Sequence, residues 1–152
     1  MAKESLLNAA TLFDLANAGA LVGWLLLVAA PLKRGWLVPG ARIVGVLLAV
    51  TYSALLIGAV TSGRVGEGGG DFTSLAGVTA LFSLPEGVLV GWVHYLAFDL
   101  WVGAWAVEDA HRRGLRHGFV LPCLVFIFLA GPLGLLMYLA TRTTLARDKT
   151  FA

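Results

Sequence analysis

LPEGVLVGWVHYLAFDLWVGAWAVEDA, residues 84–110, is the stretch of sequence that decides the fold. Its apolar part is long enough to cross a bilayer, because about 20 helical residues at 1.5 Å each span the hydrocarbon. It carries His94 and Asp99 near its midpoint, where ionisable side chains are costly and usually have a partner. These two residues therefore mark a candidate functional site inside a membrane helix.

The composition of the whole chain agrees with a membrane protein. Of its 152 residues, 59% are hydrophobic and 13% are charged, and the mean hydropathy is +0.85. A soluble domain is about half apolar and about a quarter charged, so we expect an integral membrane protein with a single membrane domain over residues 1–152. No basic stripe with interleaved aromatic residues is present, so a nucleic-acid partner is not expected.

Apolar runs and turn residues predict an all-α bundle of four transmembrane helices. The predicted spans are 12–30, 42–61, 84–107 and 115–140. Pro39-Gly40 predicts a turn before the second span. The Gly-rich residues 62–82 predict a flexible loop followed by a short interfacial segment.

Local signals define the third and fourth spans further. Ser83, Pro85 and Glu86 are typical of a helix start, with Ser83 as N-cap. Two roles are open for Glu86: it stabilises the helix start, or it belongs to a functional site. In the fourth span, Gly131-Pro132 removes a backbone hydrogen bond and predicts a kink.

The N-terminal segment allows two interpretations. It resembles a signal peptide ending near Ala30, but Glu4 and Asp14 precede the apolar run, which favours a retained first helix. Asp14 and Asn17 lie three residues apart on one face of that helix. Either they cap the helix start, or they point inward at the headgroup of a ligand.

Four crossings would place both termini and loop 62–82 on one side of the membrane. The Lys and Arg residues of that side are Lys3, Arg64, Arg142, Arg147 and Lys149. Those of the opposite side are Lys33, Arg34, Arg42, Arg112, Arg113 and Arg116. Five against six does not decide the orientation by the positive-inside rule.

His94 and Asp99 are not expected to bond to each other. Five helical residues turn the chain by about 140°, so the two side chains lie on different faces of their helix. Each is expected to meet a partner on another helix, or different parts of one long ligand. The aromatic residues around them are candidates for binding a ligand: Trp92, Tyr95, Trp101 and Trp105.

Metal and haem chemistry are not predicted. Cys123 is the single cysteine and is expected to be a packing residue, which leaves no multi-cysteine metal site. The three histidines, His94, His111 and His117, show no metal-ligand spacing and only the first lies deep in a span. No cofactor is predicted, and no nucleophile motif of a hydrolase is present.

Two parts of the chain together resemble the family of the chloroplast neoxanthin synthase and its bacterial relatives, the abscisic-acid-deficient type. The first part is GWVHYLAFDL, residues 91–100. The second is GPLGLLMY, residues 131–138. The resemblance also includes Glu86, Gly103, Asp109, His117, Pro122 and Arg142.

The resemblance implies a four-helix membrane protein that modifies or binds a carotenoid. In the plant branch it implies isomerisation of violaxanthin to neoxanthin, in which an epoxide opens to an allenic alcohol. This reaction needs an acid for the epoxide oxygen and a base for a vinylic proton, without redox change. His94 and Asp99 are the candidates for these roles, in either order, with Glu86 and Asp109 in support.

Three hypotheses about function follow. The first is a metal-independent isomerase, or a binding protein, for a carotenoid or related isoprenoid. The second is a non-catalytic accessory subunit of a photosynthetic pigment–protein complex, and a small transporter is a third, more distant one. Lipid and a carotenoid are the expected partners, with a homo-oligomer or a larger complex as possible assemblies. The Ala-, Gly- and Arg-rich composition favours a bacterial inner membrane.

Overall fold

The computed structural model describes residues 2–63 and 70–145, with side chains from residue 8 onward. These residues form five helices: α1 (Ala2–Val28), α2 (Arg34–Thr61), α3 (Leu75–Leu81), α4 (Pro85–Arg112) and α5 (His117–Leu145). Four of them are long and apolar enough to cross a membrane. The predicted all-helical membrane fold is therefore confirmed. Lys3, Glu4, Arg64, Arg147 and Lys149 lie outside the described side chains.

The helices begin and end at different residues from the predicted spans. α1 starts ten residues earlier than Leu12, because residues 2–11 include good helix formers such as Ala, Leu, Lys and Glu. α4 continues to Arg112, where the chain leaves the helix through Gly114 at φ 71°. The N–H of Leu115 then donates to the carbonyl of Ala110, which is the Schellman arrangement.

Two predicted helix boundaries are wrong. Pro39-Gly40 is not a turn but lies inside α2, in its second turn, where Pro39 leaves only the carbonyl of Gly35 without its usual donor. Ser83 is not the N-cap of α4, because its hydroxyl donates to the carbonyl of Ala80 in α3. The cap position is Leu84, whose carbonyl accepts from Val88, and Pro85 is the first helical residue.

α3 confirms a short element between the second and third long helices. The hydroxyl of Ser74 caps it by accepting from the N–H of Gly77. Its position at a membrane interface stays a prediction. Residues 64–69 of the preceding Gly-rich segment lie outside the described part of the chain.

The chain divides into two compact units. Unit 1 contains Met1–Gly19 and Val46–Ala97, and unit 2 contains Ala20–Gly45 and Phe98–Ala152. Most of the fully buried apolar side chains belong to unit 2, among them Leu27, Leu100, Leu124 and Ile127. Unit 1 holds the whole of α3 and unit 2 the whole of α5.

Glycines set the helix packing of unit 2. Gly23 and Gly103 each lie against a large side chain of another helix, which is how membrane helices approach closely without a hydrophobic driving force between them. A Cβ on Gly23 would overlap Leu100, and one on Gly103 would overlap Trp24. Gly23 therefore allows the close approach of α4, whereas Gly19, four residues earlier in α1, has open space beside it.

α5 reverses direction at the predicted break. Ala130 and Gly131 have non-helical backbone angles, with φ −153° and 2°. The sulfur of Cys123 lies 3.8 Å from the hydroxyl oxygen of Thr141, although 18 residues of straight helix would separate them by about 27 Å. A Cβ on Gly134 would likewise overlap the backbone of Ile127. Residues 117–129 and 132–145 therefore pack side by side as a helical hairpin.

Each half of this hairpin is about 20 Å long, which is less than the hydrocarbon thickness of about 30 Å. Asp99 of α4 lies against its tip, since a Cβ on Gly131 would be 2.5 Å from Asp99 Oδ1. Pro132 follows as the first residue of the second half, a position that needs no backbone N–H.

The hairpin predicts a position-specific effect of alanine within α5. Gly134→Ala should lower the melting temperature of the protein in detergent, because its Cβ meets the backbone of Ile127. Gly118→Ala is the matched control, since nothing lies within 4 Å of its Cβ, and it should leave the melting temperature unchanged or raise it. Equal melting temperatures for the two variants would contradict the hairpin.

Candidate binding pocket

Unit 1 contains a pocket of about 260 Å³ between α2, α3 and α4. Each long helix presents residues at helical spacing, so that α2 contributes Tyr52, Leu56 and Ala59 along one face. The residues from 72 to 94 that line it are Phe72, Leu81, Phe82, Leu84, Glu86, Gly87, Val90, Gly91 and His94. The lining is mostly apolar, which suits a lipid-soluble ligand.

Three polar side chains interrupt this apolar lining. The rings of Tyr52 and His94 meet edge to face, with centroids 5.1 Å apart. Glu86 lies in the first turn of α4, two turns before His94. An apolar pocket with a few polar groups is typical of sites that hold an apolar molecule and orient it by one oxygen or nitrogen atom.

Two glycines of α4 shape one wall of the pocket. A Cβ on Gly87 would overlap the carbonyl oxygen of Leu81, and one on Gly91 would overlap the ring of Phe82. The two glycines therefore let the end of α3 pack closely against α4. Phe82 can line the pocket because Gly91 has no side chain.

The turn before α3 positions Phe72 at the pocket. Asp71 Oδ1 accepts from the hydroxyl and N–H of Thr73 and from the N–H of Ser74. The hydroxyl of Thr73 is the main cause that lowers the pKa of Asp71 below its ordinary value. The ionised Asp71 carboxylate therefore stabilises the turn at neutral pH. This stabilisation is lost only as the pH falls through the lowered pKa of Asp71.

Trp92 and Tyr95 belong to unit 1 but do not appear in the described pocket lining. Trp92 packs against Phe13 and Tyr95, with ring centroids 5.6 and 5.4 Å apart. Its indole N–H donates to Asn17 Oδ1 at 3.0 Å. Neither Asn17 nor Asp14 caps a helix start, because α1 begins at Ala2, and Asn17 holds Trp92 instead.

Asp99 and Asp109 belong to unit 2, and both are buried. Asp99 lies against Gly131 of α5, and a contact of Asp99 with a ligand stays a prediction. Asp109 Oδ2 accepts from three donors: Tyr138 at 2.7 Å, Arg113 at 2.8 Å and Arg142 at 3.3 Å. The Asp109 carboxylate thus joins the end of α4 to the returning half of α5.

Trp101 and Trp105 also belong to unit 2, and both contact cations. The guanidinium of Arg42 lies 5.8 Å from the ring centroid of Trp101, and Arg142 lies at the same distance from Trp105. Trp105 meets Tyr138 edge to face at 5.4 Å. A ligand-binding role of these two tryptophans stays a prediction.

Most of the chain matches one family model, over residues 11–138, and that model is described as ABA DEFICIENT 4-like. The chain belongs to the ABA4-like family. This confirms the resemblance to the family of the chloroplast neoxanthin synthase and relates the protein to carotenoid metabolism at the level of the family. No curated protein and no solved structure matches the chain.

Several residues of these sites were not predicted from the sequence of this ABA4-like chain. No candidate residue was predicted in the second span, yet Tyr52 of α2 lines the pocket beside His94. The available signal was its position as the one large polar-tipped side chain of an apolar helix. Tyr138 was quoted only as part of a motif, and its hydroxyl group is the buried partner of Asp109.

The arrangement around Asp109 predicts that two neighbouring carboxylates contribute very differently to the free energy of unfolding. Asp109→Asn removes the charge that binds two guanidinium groups and a buried hydroxyl, so we expect a loss of about 2 kcal/mol in the free energy of unfolding. Glu108→Gln is the control, because Glu108 pairs with Arg42 at 2.6 Å but is partly exposed, and should cost less than about 1 kcal/mol. Unfolding in detergent measures both, and equal losses would contradict the assigned role of Asp109.

Proposed function

We propose that this protein binds a carotenoid or a related isoprenoid and holds one end group of it in the pocket of unit 1. The observation that carries the proposal is the apolar lining of that pocket, with Tyr52, Glu86 and His94 as its polar groups. Membership of the ABA4-like family supports the choice of a carotenoid over other lipids. A bacterial inner membrane is the proposed location.

The volume of the pocket supports binding by one end. An apolar cavity of about 150 Å³ holds a benzene ring, so by proportion 260 Å³ holds a group of about ten carbon atoms. A substituted six-membered ring is of this size, whereas a whole carotenoid is several times larger. The polyene chain of the ligand would then lie outside the pocket, along the helices and the lipid.

The chemistry that these groups support best is acid–base isomerisation. Opening an epoxide to an allenic alcohol needs one proton delivered to oxygen and one removed from carbon, and the net proton count is unchanged. Glu86 and His94 both line the pocket and are the proposed acid and base. They take the place of the pair His94 and Asp99, because Asp99 is not among the residues that line the pocket. Asp99 and Asp109 are then positioning residues.

Filling the pocket tests the binding step. Leu56→Trp should remove most of the carotenoid that co-purifies from a pigment-producing host, because the indole occupies the space of the end group. Ile57→Trp is the matched control, since Ile57 is the next residue of α2 and is 62% exposed. The measurement is pigment per protein from the absorption spectrum after extraction. Equal pigment in both variants, or a colourless wild-type protein, would contradict the proposal.

The identity of the bound pigment separates an enzyme from an accessory subunit. An isomerase adds a new carotenoid isomer to the pool of the host, and Glu86→Gln and His94→Phe should abolish this isomer while Ile57→Trp retains it. A pool that is unchanged by the wild-type protein contradicts the isomerase. If the protein then migrates with a larger complex and carries unmodified pigment, it is an accessory subunit.

A further inference from the structure

The returning half of α5 changes the distribution of charge between the two sides of the membrane. Arg142, near the end of α5, lies 3.3 Å from Asp109, near the end of α4. It therefore belongs with the cations at the α4–α5 connection. Counted with that group, Arg142 changes the balance of Lys and Arg residues from five against six to four against seven.

All seven described Lys and Arg side chains belong to unit 2. They lie in the segments that end or begin helices: Lys33, Arg34, Arg42, Arg112, Arg113, Arg116 and Arg142. Only two carboxylates, Glu108 and Asp109, lie in these segments, so the excess is five positive charges. We call this set of segments the basic end of unit 2.

Contacts within unit 2 hold the basic end together. Arg34 donates to the carbonyl of Val107 at 3.2 Å, which ties the start of α2 to the end of α4. His117 Nε2 lies 3.2 Å from the carbonyl oxygen of Val28, which ties the start of α5 to the end of α1. The cations therefore gather at one place in the fold and not only in the sequence.

The basic end also carries the apolar residues expected at a membrane surface. Leu32 and Trp36 are 81% and 82% exposed, on either side of Lys33 and Arg34. Tryptophan is enriched at the membrane–water interface, beside the lipid headgroups. Lys33, Arg112 and Arg116 are exposed next to this interface, where anionic headgroups are the available counter-charges.

We propose that the basic end of unit 2 faces the cytoplasm and binds anionic lipid headgroups through Lys33, Arg112 and Arg116. Loops rich in Lys and Arg remain on the cytoplasmic side of bacterial membrane proteins. Each basic side chain near an anionic surface strengthens binding by about fivefold. The hairpin of α5 then enters the membrane from the cytoplasm and returns to it.

Labelling of single cysteines tests the sidedness. In a Cys123→Ala background, His111→Cys and Leu145→Cys mark the ends of α4 and α5, and Ser62→Cys marks the residue after α2. A membrane-impermeant maleimide added to intact spheroplasts should label only the variant at 62. Labelling at 145 but not at 111 would show that α5 crosses the membrane. Labelling at 111 and 145 but not at 62 would show the opposite orientation.

Lipid analysis tests the second half of the proposal. The protein is extracted in mild detergent from membranes that contain phosphatidylethanolamine and phosphatidylglycerol, and the co-purified lipids are compared with the membrane. The wild-type protein should enrich phosphatidylglycerol, and the triple variant Lys33→Gln, Arg112→Gln, Arg116→Gln should lose most of this enrichment. A control triple variant, Ser53→Ala, Ser62→Ala, Thr79→Ala, should retain it. Equal enrichment in the two triple variants would overturn the assignment of lipid contacts.

Discussion

The reversal of the chain at Ala130 and Gly131 is the constraint on which unit 2 depends. Backbone without helical hydrogen bonds is tolerated at membrane depth only where it is enclosed by protein or lines a cavity. Asp99 lies against this turn, and Gly131 has no side chain that would displace it. The reversal is also what returns Tyr138 and Arg142 to Asp109. A buried carboxylate at mid-helix and an ion-pair cluster at the helix end are thus two consequences of one turn.

Unit 1 is built differently, and this difference bears on function. It has few fully buried side chains, and its helices enclose a pocket in place of a closely packed core. α3 reaches α4 only because Gly87 and Gly91 lack side chains, and its N-terminal turn is fixed by hydrogen bonds to Asp71. A binding site needs such unfilled apolar space, and unfilled space lowers the stability of a fold. The close packing of unit 2 offsets the stability that the pocket of unit 1 costs.

The sequence predicted the long helices well, because their apolar runs exceed the length of a membrane span. It also located the break at Gly131, since a Gly-Pro pair interrupts a helix whatever its surroundings. It did not predict that the break is a reversal, because Cys123 and Thr141 are 18 residues apart and nothing local indicates their contact. Nor did it reveal Tyr52, because which face of α2 meets His94 is decided by tertiary packing. Pro39 was assigned to a turn because the local sequence is the same for a proline in the first turns of a helix and for a proline in the turn before that helix.

One measurement tests the chain reversal most directly. Thr141→Cys places a second thiol beside Cys123, which is the only cysteine of the chain. Mild oxidation of this variant in the membrane should form an intramolecular disulfide, detected as the loss of two free thiols in the monomer by mass spectrometry. Leu136→Cys is the control, because Leu136 is 63% exposed and should stay unlinked to Cys123. If the thiols of the Thr141→Cys variant remain free under conditions that oxidise exposed cysteines, the two halves of α5 do not lie side by side, and the account of unit 2 is wrong.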